Sequence, residues 1–326
     1  MEKQRNLAID ILKVLAALMI TNSHLKPLYI DPFTPLGTFG APGNALFFFI
    51  SGYGLCLGRW SDFNTWYSRR ISRIIPSLIM WFGLLAVPFY YLGTHSFQEL
   101  LFMSEGYWFI RCIFIYYLLY YIVRLFRVSY KKALIVSFMV SALAFFIFPH
   151  VSTSIYASSY HYVCFLAPFF LGCYMSEHKI QCVCGGGICT KILLACICLC
   201  LFYAPQFIGK GKEGLYYSLQ IVSYPFLIMF IICAYNLAGI KFLEKIYKSK
   251  YVGLVLRLVS QLTLEIYLTG RCCLLTGLNK LFPVNLIIQL LIILVLSVVL
   301  KILANLLLQV LRDNKVCIKN LYAFIK

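Results

Sequence analysis

Long apolar stretches recur from one end of this chain to the other, and they constrain its fold more than any other feature. Each is close to the ~20 residues that an α-helix needs to cross a bilayer. Only helices and closed barrels satisfy their own backbone hydrogen bonds in lipid, so we expect an all-α, polytopic transmembrane bundle. We predict about ten spans, near residues 7–25, 38–58, 74–93, 107–123, 133–149, 160–176, 192–208, 216–235, 252–270 and 283–305.

The composition excludes a water-soluble globule. Hydrophobic residues make up 62% of the 326 residues and charged residues only 12%, whereas a soluble domain is about 25% charged. The breaks between the apolar stretches are too short to hold a soluble domain. We therefore treat residues 1–326 as a single transmembrane domain, whose chemistry lies in the bundle or its short loops.

The formal net charge of +18 reports orientation in the membrane. In a soluble protein such a charge would suggest nucleic acid, but here the basic residues lie in the breaks between spans. With the N-terminus inside, the inner segments hold 21 Lys and Arg residues and the outer segments 5. Cytoplasmic loops carry such an excess, so we predict that both termini are cytoplasmic, with anionic headgroups as neighbours and no nucleic-acid partner.

The fourteen cysteines do not form an extracellular disulfide framework, because most lie inside apolar stretches, where a free cysteine packs as a small hydrophobe. Cys182, Cys184 and Cys189 share one loop. Their C-x-C-x4-C spacing does not match the paired C-x2-C pattern of zinc sites, so we expect no metal.

The first span carries three ionisable residues, Asp10, Lys13 and His24. Charged groups inside a membrane are costly and so are functional candidates. Lys13 and His24 are eleven residues apart, which places them on one helix face about 16 Å apart along the axis. Asp10 lies one turn before Lys13 and can pair with it. Two other interpretations stay open: a structural Asp10–Lys13 pair, and an interfacial His24.

Two further segments carry recognisable motifs. The second span contains Phe47-Phe48-Phe49-Ile50-Ser51-Gly52, and Arg70-Ile71-Ser72-Arg73 precedes Pro76 and the third span. Together with Lys13 and His24 these segments resemble the acyltransferase-3 family of membrane acyltransferases. That family has a basic residue, ten residues and a histidine in its first helix, then FFxxSG, then an Arg-x-x-Arg pair followed by proline.

Weaker landmarks extend the resemblance along nearly the whole chain. They are Tyr107-Trp108-Phe109, Phe169-Phe170-Leu171-Gly172, and the stretch from Ser260 to Tyr267-Leu268. The chain departs from the family in two places. Lys13 stands where arginine is commoner, and Tyr267-Leu268-Thr269-Gly270 stands where the family often has Tyr-Leu-x-His. We carry no role over to Gly270.

The resemblance implies an O-acyltransferase, expected to be an O-acetyltransferase of the plasma (inner) membrane. The donor would be cytoplasmic acetyl-CoA or another acyl-CoA, bound as a co-substrate, with no tightly bound cofactor. The acceptor would be a hydroxyl of an envelope or exported glycan, or of its lipid-linked precursor. The resemblance says nothing of the oligomeric state.

The resemblance also implies roles for single residues. His24 would be the general base, since an imidazole titrates near neutral pH, although an acylated His24 stays open. Lys13, held by Asp10, would orient the donor or stabilise developing negative charge. Arg70 and Arg73, with Arg69, would bind the donor's phosphates from one side of a helix start. The alternative for these arginines is ordinary positive-inside anchoring.

Two more charged residues lie within predicted spans, Glu265 in the ninth and Arg111 in the fourth. A carboxylate in that environment is expected to be protonated or to pair with a cation. Both residues are candidates for binding the acceptor substrate.

Two other functions compete with acyl transfer. A transporter or flippase for a lipid-linked glycan would also use ten helices and a polar interior, but it would need no coenzyme A. A glycan polymerase would rely on a large external loop, and no outer break here is long.

The sidedness can be tested at Thr65, which lies in the predicted cytoplasmic segment 59–73. In a cysteine-depleted variant, a cysteine at Thr65 is expected to react with an impermeant thiol reagent only after permeabilisation. A cysteine at Thr34, in a predicted outer segment, should react in intact cells. Labelling at position 65 from outside intact cells contradicts the topology.

Overall fold

The computed structural model describes residues 6–85, 108–147, 160–178, 187–209, 212, 214–270, 274–313, 316–322 and 324. The regular structure in these residues is entirely helical. The α-helices are α1 Leu7–His24, α2 Gly40–Cys56, α3 Phe63–Ile71, α4 Ile75–Met80, α5 Trp108–Leu125, α6 Tyr130–Ile147, α7 His161–Cys164, α8 Leu166–Glu177, α9 Ile188–Gly209, α10 Leu215–Ser218, α11 Ser223–Ala238, α12 Lys241–Tyr247, α13 Val252–Gln261, α14 Thr263–Thr269, α15 Val284–Asp313 and α16 Ile318–Leu321.

The all-α, multi-pass membrane class is confirmed. Within the described residues, six helical segments are long and apolar enough to cross a membrane, and a bent pair, α13 and α14, makes a possible seventh. The six are Leu7–His24, Trp108–Leu125, Tyr130–Ile147, Ile188–Gly209, Leu219–Ala238 and Val284–Arg312. The remaining predicted spans coincide with shorter or interrupted helices, so the described residues show fewer full-length spans than the ten we predicted.

The shorter and interrupted helices differ from one another. α2 has 17 residues, and α4 continues into a π-helical turn, Trp81–Leu85, after which residues 86–107 lie outside the described part. The predicted span 160–176 is two helices, α7 and α8, because Pro168 stands four residues after Cys164. A proline ring clashes with the carbonyl four residues earlier, which is where α7 ends.

The predicted single helix over 252–270 is also two helices, and this expectation was wrong. α13 and α14 meet at Leu262 with a bend of 71°. Just before the bend, the Ser260 hydroxyl donates to the Arg257 carbonyl at 2.8 Å. Such bonding from serine to the preceding turn competes with the regular helical ladder and bends helices.

The chain divides into two compact units. Unit 1 comprises Met1–Ala16, Ala41–Arg59 and Arg111–Ile246, and unit 2 comprises Ala17–Gly40, Trp60–Ile110 and Tyr247–Lys326. In unit 1, α9 packs along α11 and α6 packs along α8. In unit 2, α4 and α14 pack on α15.

Two glycines fix the crossing of α2 and α8 in unit 1. A Cβ added at Gly52 would collide with the carbonyl oxygen of Phe169, and one added at Gly172 would collide with that of Phe49. The two contacts are reciprocal, and each glycine belongs to one of the Phe-Phe motifs of the sequence. Small residues let helix backbones approach closely in membranes, where packing rather than the hydrophobic effect drives association.

In each unit, helix ends that the predicted topology places on the same side of the membrane are in contact. In unit 1, the Asn6 amide donates to the Tyr53 hydroxyl at 2.9 Å, and that hydroxyl lies 3.3 Å from the Tyr235 hydroxyl. All three residues belong to predicted inner ends. In unit 2, the Asn285 amide donates to the Leu28 carbonyl at 2.8 Å, which joins two predicted outer segments. The contacts agree with the alternation, while the assignment of the inner side to the cytoplasm stays a prediction.

The glycine crossing generates a stability prediction. Gly52→Ala and Gly172→Ala should each destabilise the protein by about 1–3 kcal/mol or more, because the added methyl group meets a backbone carbonyl that cannot rotate away. Gly54→Ala is the matched control, since a Cβ there meets nothing within 4 Å. Thermal unfolding in detergent measures the effect. Equal unfolding midpoints in all three variants would show that the crossing has room to spare.

Candidate functional site

α1 carries the candidate residues Asp10 and Lys13. Asp10 is buried, with 3% of its surface exposed, and its Oδ1 accepts a hydrogen bond from Lys13 Nζ at 3.0 Å. The predicted pairing of these two residues is therefore present. α1 is unbroken from Leu7 to His24, so the helical spacing between Lys13 and His24 applies along its whole length. At about 16 Å along the axis, the two side chains cannot contact the same reacting atom.

His24 is the last residue of α1 and lies in unit 2. Its side chain is half-buried, and its Nε2 is shielded from solvent. The ring lies beside Gly270, where an added Cβ would be 4.0 Å from the imidazole Cδ2. Gly270 is the position where the sequence departs from the family's Tyr-Leu-x-His motif. The imidazole therefore lies next to a residue that has no side chain.

Glu265 lies at the centre of a buried polar cluster in unit 2. The Ser77 hydroxyl donates to Glu265 Oε1 at 2.7 Å, and Lys301 Nζ donates to the same oxygen at 3.0 Å. Glu265 is fully buried, with 0% of its surface exposed. The expectation that this carboxylate pairs with a cation is thus met by Lys301. Its second oxygen, Oε2, is buried and has no hydrogen-bond partner among the described residues.

The cluster lies just after the bend between α13 and α14. Glu265 lies on α14, and the Thr269 hydroxyl one turn later donates to the Glu265 carbonyl at 3.0 Å. The same hydroxyl lies 2.9 Å from that of Ser297, which fastens α14 to α15. Sequence reasoning missed Ser77 and Lys301. The only signal for Lys301 was its charge within the last predicted span, and nothing in the sequence indicates that it faces Glu265.

The three arginines before α4 have different surroundings. Arg69 Nε donates to the Thr65 carbonyl at 3.0 Å, and its guanidinium also contacts the Ser61 hydroxyl. Arg70 is half-buried and lies over the Trp66 ring, 5.7 Å from its centroid. Arg73 is exposed, and its guanidinium forms no hydrogen bond or ion pair with the described residues.

The expectation that Arg70 and Arg73 share one helix start was wrong. Arg70 lies in the last turn of α3, and Arg73 lies in the turn that leads to α4. α3 itself was not predicted. Its N-cap is Asp62, whose carboxylate accepts a hydrogen bond from the Thr65 N–H at 2.9 Å, and this bond lowers the pKa of Asp62. Side-chain acceptors at this position stabilise helix N-termini.

Arg111 is exposed on α5 in unit 1, and its guanidinium lies over the ring of Tyr162 at 5.5 Å from the centroid. Such a cation–π contact stabilises an exposed arginine by about 0.5–1 kcal/mol. Its predicted contact with the acceptor stays a prediction.

Unit 1 contains a cavity of about 430 Å³ that the sequence did not indicate. It is formed where α2, α5, α6 and α8 approach one another at their predicted inner ends. Arg124 lines it and donates to the Tyr120 hydroxyl at 2.9 Å. The other charged residues in its wall are Arg127 and Glu177.

The described residues contain no group of three His, Cys, Asp or Glu side chains that could hold a metal ion. Cys182 and Cys184 lie outside the described residues, and Cys189 is exposed and free.

Comparison with known protein families gives a match over most of the chain. A family described as an acyltransferase domain matches residues 6–306 of the chain. No curated protein and no solved structure matches it.

Proposed function

The chain belongs to the acyltransferase-3 family of membrane acyltransferases, and from this premise we propose that it is an O-acetyltransferase of the plasma membrane. It transfers the acyl group of cytoplasmic acetyl-CoA to a hydroxyl of an envelope or exported glycan, or of a lipid-linked precursor. The observation that carries the proposal is the unbroken helix α1, which holds a buried Asp10 paired with Lys13 and ends in His24.

In this proposal His24 acts as the general base. It takes the proton of the acceptor hydroxyl while the hydroxyl oxygen attacks the carbonyl carbon of the thioester. A C–O bond forms and the C–S bond breaks. The proton then passes from His24 to the departing thiolate, which gives the O-acyl glycan and free coenzyme A.

Lys13 has a different task, because it lies too far along α1 to touch the reacting carbonyl. The thioester donor is a long, extended molecule, so a cation one bilayer leaflet away from His24 can bind the part of the donor that lies between its phosphates and its thioester. Asp10 keeps Lys13 in place, since the pair limits the directions in which the ammonium can point. In this proposal Lys13 orients the donor, and Asp10 is a positioning residue.

The arginines before α4 are the proposed phosphate ligands, and their surroundings rank them. Arg73 offers an exposed guanidinium without a partner among the described residues, and Arg70 is held over Trp66. Arg69 is already bonded to the Thr65 carbonyl. Arginine binds phosphate oxygens through two parallel N–H donors, so we assign the main contact to Arg73, support to Arg70, and anchoring of α3 to Arg69.

A transporter or flippase remains the second candidate, and one observation favours it. The bent pair α13 and α14 is the kind of discontinuous helix that transporters use at their substrate sites. Transport of a sugar lipid needs no coenzyme A, so consumption of acetyl-CoA separates the two functions. Purified protein that releases free coenzyme A thiol only when glycan is added supports acyl transfer.

His24 gives the first functional prediction. His24→Gln should lower the transfer rate about 10²- to 10⁴-fold, because glutamine keeps a polar shape but accepts no proton at neutral pH. The measurement is the initial rate of thiol release by purified, folded protein with acetyl-CoA and glycan. His178→Gln is the control, an exposed histidine at the end of α8. Near-normal turnover in His24→Gln would leave the imidazole only a positioning role.

Arg73 gives the second. Arg73→Gln should raise the KM for acetyl-CoA about 10- to 150-fold with little change in the unfolding midpoint, because a hydrogen bond to a charged group stabilises by about 1.5–3 kcal/mol. Arg70→Gln should act in the same direction but also loosen α3. Lys132→Gln, an exposed cation on a predicted inner segment, is the control. An unchanged KM in both arginine variants would make the pair a topology signal only.

A further inference from the structure

We propose that Glu265 Oε2 is a binding position for a hydroxyl group of a neutral acceptor, and that Ser77 and Lys301 set up this position by holding the other carboxylate oxygen. The inference rests on the proposed function and deepens it by naming the group of the acceptor substrate that the cluster binds. Ser77 and Lys301 are thereby positioning residues.

The hydrogen bonds divide unequally over the carboxylate. Ser77 Oγ and Lys301 Nζ both donate to Oε1, whereas Oε2 is buried and has no donor among the described residues. Leaving a buried acceptor unsatisfied is unfavourable, and more so when it carries charge. A ligand that donates one hydrogen bond to Oε2 removes this cost, and a carboxylate paired with a lysine is an acceptor only.

The charge of the cluster selects the chemical class of that ligand. Glu265 and Lys301 balance each other at 3.0 Å, and Ser77 is neutral. An anionic ligand would be repelled by the Glu265 carboxylate, and a cationic ligand would compete with the ammonium of Lys301 for it. A neutral hydroxyl, such as those of a sugar, satisfies Oε2 without disturbing the balance.

The backbone around Glu265 allows a ligand position as well as a structural pair. α14 is a seven-residue helix that follows the 71° bend. Irregular backbone at membrane depth occurs where it is buried in protein or lines a cavity. α14 is also fastened to α15 by the contact between Thr269 and Ser297, so the carboxylate is held on a fixed support.

The same short helix also leads to His24. Gly270, whose added Cβ would lie 4.0 Å from the imidazole, follows Glu265 by five residues. Five helical residues rise about 7.5 Å and turn about 140° around the axis. Glu265 and the neighbour of His24 are therefore close along α14 but on different sides of it.

The test separates a structural ion pair from a ligand position. Glu265→Gln leaves Lys301 without its partner and can disturb folding, so the informative protein is the double variant Glu265→Gln/Lys301→Met, which removes both charges together. Replacing both members of a buried pair is far milder than removing one. Glu244→Gln/Lys248→Gln is the control, because it removes the same two charges from and beside α12.

Three quantities are measured: the unfolding midpoint, the Kd of the purified protein for acetyl-CoA, and the acyl content of surface glycan from cells that express each variant. We expect the double variant to keep the wild-type midpoint and Kd while glycan acylation falls about 10- to 100-fold. The single variant Lys301→Arg, which preserves the charge, should acylate glycan more than the double variant does.

A double variant that is folded, binds acetyl-CoA and acylates glycan at the wild-type level overturns the inference and leaves the proposed function standing. So does a double variant that loses its midpoint and its acetyl-CoA affinity together with acylation, since the pair is then structural. Wild-type protein that acylates no glycan overturns the proposed function, and the inference with it.

Discussion

Hydrocarbon does not solvate charge, and this constraint governs what the chain places inside the membrane. Two buried carboxylates, those of Asp10 and Glu265, each pair with a lysine at 3.0 Å. The two pairs differ in origin. Asp10 and Lys13 lie one turn apart on a single helix, whereas Glu265 and Lys301 are 36 residues apart and meet only through tertiary packing. Each pair lets an ionisable group persist where an unpaired one would be expelled or neutralised.

The same solvent removes the hydrophobic effect as the force that holds helices together. Close packing of the helices has to replace it, and in unit 1 the reciprocal contacts of Gly52 and Gly172 allow this packing. The glycines stand at the ends of the two Phe-Phe motifs, so these motifs serve backbone packing in the structure.

Features set by local spacing were predictable from the sequence. The Asp10–Lys13 pair and the unbroken first helix follow from helical periodicity and from the absence of Pro and Gly between residues 7 and 24. Interruptions were less predictable. The break at Phe165 can be attributed to Pro168 in the sequence. The bend at Leu262 instead follows a hydrogen bond of Ser260 that competes with the helical ladder, and the apolar composition of the segment does not indicate it.

Contacts between distant segments could not be predicted at all. Glu265 was a candidate because of its charge, but its partners Ser77 and Lys301 depend on the packing of α4, α14 and α15. The arginine motif shows the opposite error. Its spacing suggested one helix face, yet Pro76 ends the continuity between α3 and α4 and leaves Arg70 and Arg73 on different local structures.

Acyl transfer to a glycan by way of His24 is the central claim, and mass spectrometry of the surface glycan tests it most directly. Glycan is compared from cells without the protein, cells with the wild type and cells with His24→Gln at equal abundance. We expect glycan that is heavier by one acyl group with the wild type, and unmodified glycan in the other two. Identical glycan masses in all three, with the wild type inserted and folded, contradict it.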